Sequence, residues 1–137
     1  MNQNCKISIV AKNAVLLVLL LGGCPCKGFG WNMINLNTAN STVILKIGDK
    51  CCFTFTKWSS VGHEAEYTIE DEKIIQLVEK KIDYVHSFKM MLGMPGSDEA
   101  KGMFIFQAKR KGKTHLILRE MFRGEVRSEK IIKVTVR

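Results

Sequence analysis

His63 and the two acids that follow it are the residues best suited to catalysis in this sequence. His63, Glu64 and Glu66 resemble a general acid and base group, because an imidazole beside carboxylates can take up and release protons. The sequence lacks the nucleophile-elbow, zinc-peptidase, phosphate-loop and dinucleotide-binding motifs. Polar residues where a loop meets a strand are usually solvated, so we expect that the protein is not an enzyme.

The five cysteines do not form a metal-binding pattern. Cys51 and Cys52 are adjacent in a predicted strand, so their side chains point to opposite faces, and the spacing supplies no further ligands around them. We therefore predict no metal and no cofactor, with Cys51 buried as a small hydrophobic residue and Cys52 partly exposed. Cys26 can pair with Cys52, join two chains or stay free, because spacing alone does not fix connectivity.

A basic group surrounds Gly112. The chain has a formal net charge of +8, and Lys109, Arg110, Lys111 and Lys113 are its densest cationic cluster. Such a cluster can contact phosphate groups. No aromatic residue lies among these cations to stack on a base. We interpret the group as a solvated hairpin turn and expect no nucleic-acid partner.

The N-terminus has the pattern of a secretory leader. Lys6 and Lys12 precede an apolar run from Ala14 to Leu21, which is well below the ~20 residues that span a bilayer. The sequence Leu21-Gly22-Gly23-Cys24 resembles the lipobox of bacterial lipoproteins. This resemblance implies that residues 1–23 are a signal peptide, that Cys24 is acylated, and that the protein is exported to the cell envelope, lipid-anchored to a membrane or in the periplasm.

The rest of the chain divides into a tether and one domain. Residues 24–41 are rich in Gly and Asn without periodicity, which predicts a flexible tether. Residues 42–137 contain short segments in which apolar residues alternate, as in strands buried on one face. We predict an all-β fold, an immunoglobulin-like antiparallel β-sandwich of about seven strands. The alternating groups include Val43/Leu45/Ile47, Cys51/Phe53/Phe55, Ala65/Tyr67/Ile69, Phe104/Phe106/Ala108, Leu116/Leu118 and Ile132/Val134/Val136, and Ile74 to Val78 fits a strand or a helix.

Three connections between predicted strands are candidates for a binding surface. They span residues 58–63, 93–102 and 121–126. Loops gather at the two ends of a sandwich and carry function there, so these three are expected to meet at one end.

The first of these loops resembles that of a known inhibitor family. From Ile47-Gly48-Asp49 through Trp58-Ser59-Ser60-Val61-Gly62-His63, the chain resembles the opening of the chagasin-type inhibitors of papain-like cysteine peptidases. Gly62 stands at the glycine of the family's central loop, Ser60 at its first Thr and His63 at its aromatic position. Trp58, Ser59 and Val61 stand where the family has Asn, Pro and Thr.

The resemblance extends to the other two loops. Gly93-Met94-Pro95-Gly96 is similar to the family's Gly-rich loop, and the segments around Phe104–Ala108 and Lys111–Leu116 are similar to the strands that follow it. The third loop is represented by Phe122 and Arg123, which have the family's aromatic and arginine in reverse order and without its proline.

The resemblance implies a monomeric inhibitor domain that blocks the active-site cleft of a papain-like cysteine peptidase with three loops. The alternative is a non-inhibitory envelope lipoprotein or binding module on the same fold. The peptidase-binding residues that the resemblance implies are Trp58, Ser60, Val61, Gly62, His63, Gly93, Gly96, Phe122 and Arg123.

Overall fold

The computed structural model describes residues 33–137, and the predicted leader, Cys24 and Cys26 lie outside this range. No helix in this range is long and apolar enough to cross a membrane. The described chain is all-β apart from a 3₁₀ turn at Ser59–Val61 and a short helix, α1 (Ser87–Met91). Its strands are β1 (Ile34–Asn35), β2 (Thr42–Leu45), β3 (Lys50–Trp58), β4 (His63–Ile69), β5 (Ile75–Tyr84), β6 (Glu99–Ala108), β7 (Gly112–Phe122) and β8 (Glu125–Val136).

Alternation of side chains explains why these segments are strands. In β3, Cys51, Phe53 and Phe55 are buried, whereas Thr54 and Thr56 are exposed. Successive side chains of a strand point to opposite faces, so this pattern places one face on the core and, from Thr54 onward, the other in solvent. The same alternation confirms the strands predicted around residues 65–69, 104–108, 116–118 and 132–136.

The strands form one hydrogen-bonded path in the order β2-β8-β7-β4-β3-β6-β5, with β1 added beside β3. β3 and β4 pair only through Trp58 and His63 at their hairpin, so the path folds there into two layers. Layer one is β2-β8-β7-β4 and layer two is β1-β3-β6-β5, which gives the predicted sandwich. The apolar core between the layers includes Leu36, Leu45, Phe53, Phe55, Ile75, Phe104, Phe106, Leu116, Leu118, Ile132, Val134 and Val136.

The sandwich is not wholly antiparallel as predicted. β1 pairs in parallel with β3, and β2 pairs in parallel with β8. A tight hairpin forces two strands to be antiparallel, but neither of these pairs is joined by one. The remaining pairs are antiparallel.

The packed domain begins earlier than the predicted boundary at residue 42. Ile34 and Asn35 form β1, and Leu36 is fully buried. The Asn37 side chain is held against β3, since its Nδ2 donates to the Thr54 carbonyl at 2.7 Å and its Oδ1 accepts from the Thr54 amide at 2.8 Å. Residues 34–37 are therefore part of the sandwich and not of a flexible tether. Ile34 and Leu36 alternate with Asn35 and Asn37, and this short period of two is the sequence signal that indicates a strand here.

The bounds of two strands differ in detail from those that the sequence predicts. Of residues 74–78, which fitted a strand or a helix, residues 75–78 open the ten-residue strand β5, and the register shifts between Leu77 and Glu79 at a bulge. β2 ends at Leu45, which leaves Ile47 outside the strand and 52% exposed.

Both adjacent cysteines are buried free thiols, so the partial exposure expected for Cys52 is wrong. Cys51 belongs to the core between the layers. Cys52 points to the other face, opposite Ile105 of β6, which is also buried. Burial disfavours the thiolate and raises the pKa of Cys51 to about 12, and it also raises the pKa of Cys52. Neither thiol is activated for nucleophilic chemistry.

Candidate functional site

Three connections meet at one end of the sandwich, as the sequence predicted. The register pairs Trp58 with both His63 and Glu99, and it pairs His63 with Phe122. Tyr84 pairs with Ala100 beside them. The β3–β4, β5–β6 and β7–β8 connections therefore lie side by side, and we call this surface the loop end.

The central connection of the loop end is a tight helical turn. The 3₁₀ turn Ser59–Val61 ends at Gly62, whose φ is +70° and whose amide donates to the Ser59 carbonyl at 3.2 Å. A Cβ at Gly62 would lie 3.3 Å from the backbone of Arg123. Position 62 therefore requires glycine for two reasons, a left-handed backbone and a close approach of the neighbouring loop.

A carboxylate joins the central loop to the β5–β6 connection. Asp98 accepts hydrogen bonds from the Ser60 amide at 2.5 Å and from the Ser60 hydroxyl at 3.0 Å. These two bonds favour the ionised carboxylate and lower the pKa of Asp98. The pair fixes Ser60, 38 positions away in sequence, against the start of β6.

The β7–β8 hairpin is joined to the central loop on its other side. The Arg123 amide donates to the Gly62 carbonyl at 2.8 Å. Arg123 and Gly124 have φ values of +52° and +82°, which is the pattern of a two-residue type I′ hairpin turn. Among residues 33–137, Arg123 is the non-glycine residue that has a positive φ. A strained backbone of this kind persists only where surrounding contacts hold it.

An open groove lies between the central loop and this hairpin. It has a volume of about 510 Å³, and Trp58, Val61, His63 and Phe122 line it. The guanidinium groups of Arg123 and Arg127 lie 5.2 and 5.9 Å from the centre of the Phe122 ring. The His63 ring meets Phe122 edge-on at 6.5 Å. The groove thus combines aromatic surface with the Arg127 cation and the carboxylates of Glu99 and Glu120. Aromatic and arginine side chains are those that most often anchor protein interfaces.

The β5–β6 connection carries the most exposed apolar side chains of the loop end. Phe88, Met91 and Leu92 are 68%, 81% and 60% exposed, and we call these three residues the apolar tip. Val85, Met90 and Met94 are exposed beside them. A cluster of large exposed apolar side chains on one short segment is typical of an interaction site.

The glycines of the β5–β6 connection shape the backbone that presents the apolar tip. Gly93 and Gly96 have φ values of +66° and +73°, and a Cβ on either would meet open space. The buried Ser97 hydroxyl donates to the Met94 carbonyl at 2.6 Å and closes the turn between them. The contact role predicted for these glycines stays a prediction, and the structure shows their conformational role beside the exposed side chains.

The structure does not assemble His63, Glu64 and Glu66 into an acid and base group. His63 Nδ1 donates to the Thr56 carbonyl at 2.8 Å, so this nitrogen is engaged by backbone. Glu64 and Glu66 alternate onto the exposed face of β4, away from His63. Among residues 33–137, no three His, Cys, Asp or Glu side chains cluster in a way that could hold a metal ion.

Most predicted site residues come together, and the structure adds others. Trp58, Ser60, Val61, Gly62, His63, Phe122 and Arg123 belong to two adjoining loops, and Gly93 and Gly96 belong to the third. Asp98 and Phe88 were missed. No local pattern links Asp98 to Ser60, but the run Phe88-Lys89-Met90-Met91-Leu92 before a Gly- and Pro-rich turn is a signal of a presented apolar segment.

No family model matches this sequence, and no curated protein matches it. Among solved structures, the cysteine protease inhibitor EhICP2 from Entamoeba histolytica superposes with a TM-score of 0.59 at 12% identity, over 77% of this chain and 94% of that one. This chain has the fold of that inhibitor. Amebosin matches with a TM-score of 0.49 at 15% identity over 77% of this chain and 96% of that one. PbICP-C, solved in complex with falcipain-2, matches with a TM-score of 0.44 at 15% identity over 77% and 90%.

Proposed function

We propose that this protein inhibits papain-like cysteine peptidases by placing its loop end in the active-site cleft. The observation that carries the proposal is the joining of three loops at one end, through Ser60 to Asp98 and through Gly62 to Arg123. Binding costs less when loops are already held in the bound shape. The fold shared with EhICP2 and the resemblance of the loop sequences to chagasin-type inhibitors support the same function.

The central loop is suited to occupy a catalytic centre without being cleaved. Ser59, Ser60 and Val61 are wound into a 3₁₀ turn, and the Ser59 carbonyl is engaged by the Gly62 amide. A cleavable substrate must offer an extended and accessible peptide bond, and this turn does not. We propose that Ser60, Val61 and Gly62 cover the catalytic thiol of the peptidase.

The flanking loops supply the anchors that hold the central loop in place. The apolar tip on one side and Phe122 with Arg123 on the other extend the contact surface in both directions. Aromatic and arginine side chains commonly dominate interface energies. We propose that the apolar tip fills an apolar depression at one wall of the cleft while Phe122 and Arg123 contact the opposite wall.

Inhibition is tested by titrating papain and a cathepsin L-type peptidase with the chain that begins at residue 24 and carries Cys24→Ser. The expected result is stoichiometric, saturable loss of activity with the inhibitor left intact. Phe122→Ala is expected to weaken inhibition, whereas Ile131→Ala, which removes an equally apolar side chain that is 51% exposed on β8, is the matched control. Absence of inhibition by the folded chain at micromolar concentration would overturn the proposal.

The proposal includes export and lipid anchoring. Removal of residues 1–23 would leave Cys24 as the acylated N-terminus, in the cell envelope. Cells given a labelled fatty acid are expected to transfer it to this protein, and Cys24→Ala is expected to abolish the labelling while Cys26→Ala retains it. Equal labelling of both variants would exclude Cys24 as the modified residue.

A non-inhibitory binding module is the second candidate, and the apolar tip favours it. Large exposed side chains at Phe88, Met91 and Leu92 can serve any protein partner with an apolar depression. This candidate predicts that the folded chain leaves papain-like peptidases active while tip variants lose binding to another envelope protein.

A further inference from the structure

The end of the sandwich opposite the loop end is formed by the β2–β3, β4–β5 and β6–β7 connections, and we call it the base end. Backbone hydrogen bonds join these connections. The Gly48 amide donates to the Ala108 carbonyl at 2.8 Å, and the Lys109 amide donates to the Ile74 carbonyl at 2.8 Å. Residues that are far apart in sequence are therefore presented together on one surface.

The base end exposes cations, whereas most of its acids are engaged in the fold. Asp49 Oδ2 accepts from the Lys46 amide at 2.8 Å, Asp71 Oδ1 accepts from the Lys73 amide at 2.9 Å, and Glu70 lies 2.6 Å from His115. Glu70 and Glu72 are the exposed acids of this end. The exposed cations are Lys46, Lys73, Lys109, Arg110, Lys111 and Lys113, and none of these six forms an ion pair with a residue in the range 33–137.

The described chain also begins at the base end. β1 runs parallel to β3, and its first residue, Ile34, pairs with Cys51, the second residue of β3. Cys24, the predicted acylated residue, precedes Ile34 by ten positions. Ten residues reach at most about 36 Å when fully extended. An acyl anchor at Cys24 would thus keep the start of β1, at the base end, within about 36 Å of the bilayer.

We propose that the base end binds the anionic headgroups of a phospholipid membrane, so that the loop end faces away from the bilayer. The four cations of the β6–β7 turn, Lys109, Arg110, Lys111 and Lys113, form the centre of the contact. Basic residues next to a membrane anchor are attracted to anionic lipids, and salt weakens this attraction. The inference is independent of peptidase inhibition, because it concerns the opposite end of the domain.

The test measures binding of the chain that begins at residue 24 and carries Cys24→Ser, so that acyl chains do not contribute. All core residues lie between Leu36 and Val136, so this chain retains the whole described domain. Sedimentation with phosphatidylcholine vesicles is compared with sedimentation with vesicles that also contain phosphatidylglycerol. The base-end variant replaces Lys109, Arg110, Lys111 and Lys113 by Gln, and the matched control replaces Lys57, Lys89, Lys101 and Arg127 at the loop end by Gln.

Binding is expected to require phosphatidylglycerol and to weaken at high salt. The base-end variant should lose about 100-fold or more in partition coefficient, given the strength of attraction per basic residue at an anionic surface, while the control variant stays close to the parent. Thermal unfolding of both variants confirms that they are folded. Equal binding to the two vesicle types, equal losses in both variants, or a base-end effect seen with an oligonucleotide and not with vesicles would each overturn the proposal.

Discussion

The two ends of the sandwich are built on the same strands and expose opposite chemistry. At the loop end, connections are joined by the Asp98 carboxylate and by the Arg123 amide, and apolar side chains are exposed. At the base end, connections are joined by backbone bonds at Gly48 and Lys109, and cations are exposed. Apolar and aromatic side chains suit a protein cleft, whereas cations suit an anionic surface.

Two binding functions can occupy opposite ends of the same strands. β3 begins at the base end and ends at Trp58 in the loop end, and β6 runs between the same two ends in the opposite direction. The core between them is continuous. Changes to the core should therefore affect both ends, and changes at one end should leave the other intact.

The largest effect is expected from Gly102→Val, which disrupts the core packing that positions both ends of the sandwich. A Cβ at position 102 would overlap the ring of Phe55, which is buried in the core. Overpacking of this kind lowers the free energy of unfolding by about 3 kcal/mol. Urea unfolding measures the change, and Lys101→Val, at the exposed neighbour on β6, is the control. Equal stability of the two variants would show that the layers do not pack as described.

The next effect is specific to the loop end. The double variant Phe88→Ala/Met91→Ala shortens two side chains of the apolar tip that are 68% and 81% exposed. If these are interface anchors, their loss raises the inhibition constant about 30-fold, which corresponds to about 2 kcal/mol. Folding should be unchanged, because neither side chain is buried. Inhibition is measured against papain, and the four-residue base-end variant should inhibit as the parent does.

A paired glycine substitution compares the two ends directly. Gly62 and Gly48 both have positive φ, but a Cβ at Gly62 meets the Arg123 backbone at 3.3 Å, whereas one at Gly48 meets nothing within 4 Å. Gly48→Ala is expected to lower the free energy of unfolding by about 1 kcal/mol and Gly62→Ala by about 2 kcal/mol, because the second adds a close contact to the left-handed strain. Denaturant midpoints measure both. A larger loss at Gly48 would contradict the close approach of the two loops.

The smallest effect concerns the bond between Asp98 and Ser60. Bonding to the Ser60 amide and hydroxyl lowers the pKa of Asp98 from its usual value of 3.8. The folded loop therefore gains from this bond above pH 3.8 and loses it as the pH falls below that value through the lowered pKa. Asp98→Asn should speed amide hydrogen exchange at Ser60 by a few-fold, a small change because the pair is exposed. Asp83→Asn is the control, and unchanged exchange in the Asp98 variant would show that this bond does not hold the loop.

The strands could be predicted from the sequence wherever a period of two was visible. Phe53 and Phe55, or Ile132 and Val134, show their burial by spacing alone. β1 was missed because its alternation of Ile34 and Leu36 with asparagines spans only four residues, within a stretch whose Gly and Asn content indicates a tether. The parallel pairing of β1 with β3 and of β2 with β8 depends on how the chain crosses between layers, which local sequence does not encode.

The sequence predicted which loops form the candidate site but not the hydrogen bonds that join them. Gly62 was predicted because it stands at the glycine of the inhibitor family's central loop, and Phe122 because it and Arg123 have that family's aromatic and arginine in reverse order. The bond between Ser60 and Asp98 was not, because it joins residues 38 positions apart and leaves no local pattern. The run from Phe88 to Leu92 before a Gly- and Pro-rich turn indicates an exposed apolar segment, but the exposure of Phe88 itself depends on how α1 packs against the sandwich.

The most direct test of the account asks which end of the sandwich a papain-like peptidase covers. Hydrogen exchange of the chain from residue 24, carrying Cys24→Ser, is measured alone and with papain whose catalytic thiol is left free. The account predicts that exchange slows at residues 59–62, 87–96 and 123–124, with no change in the turn at residues 109–113. Slowing at the base-end turn, or no slowing anywhere, would contradict the assignment of the loop end as the peptidase-binding surface.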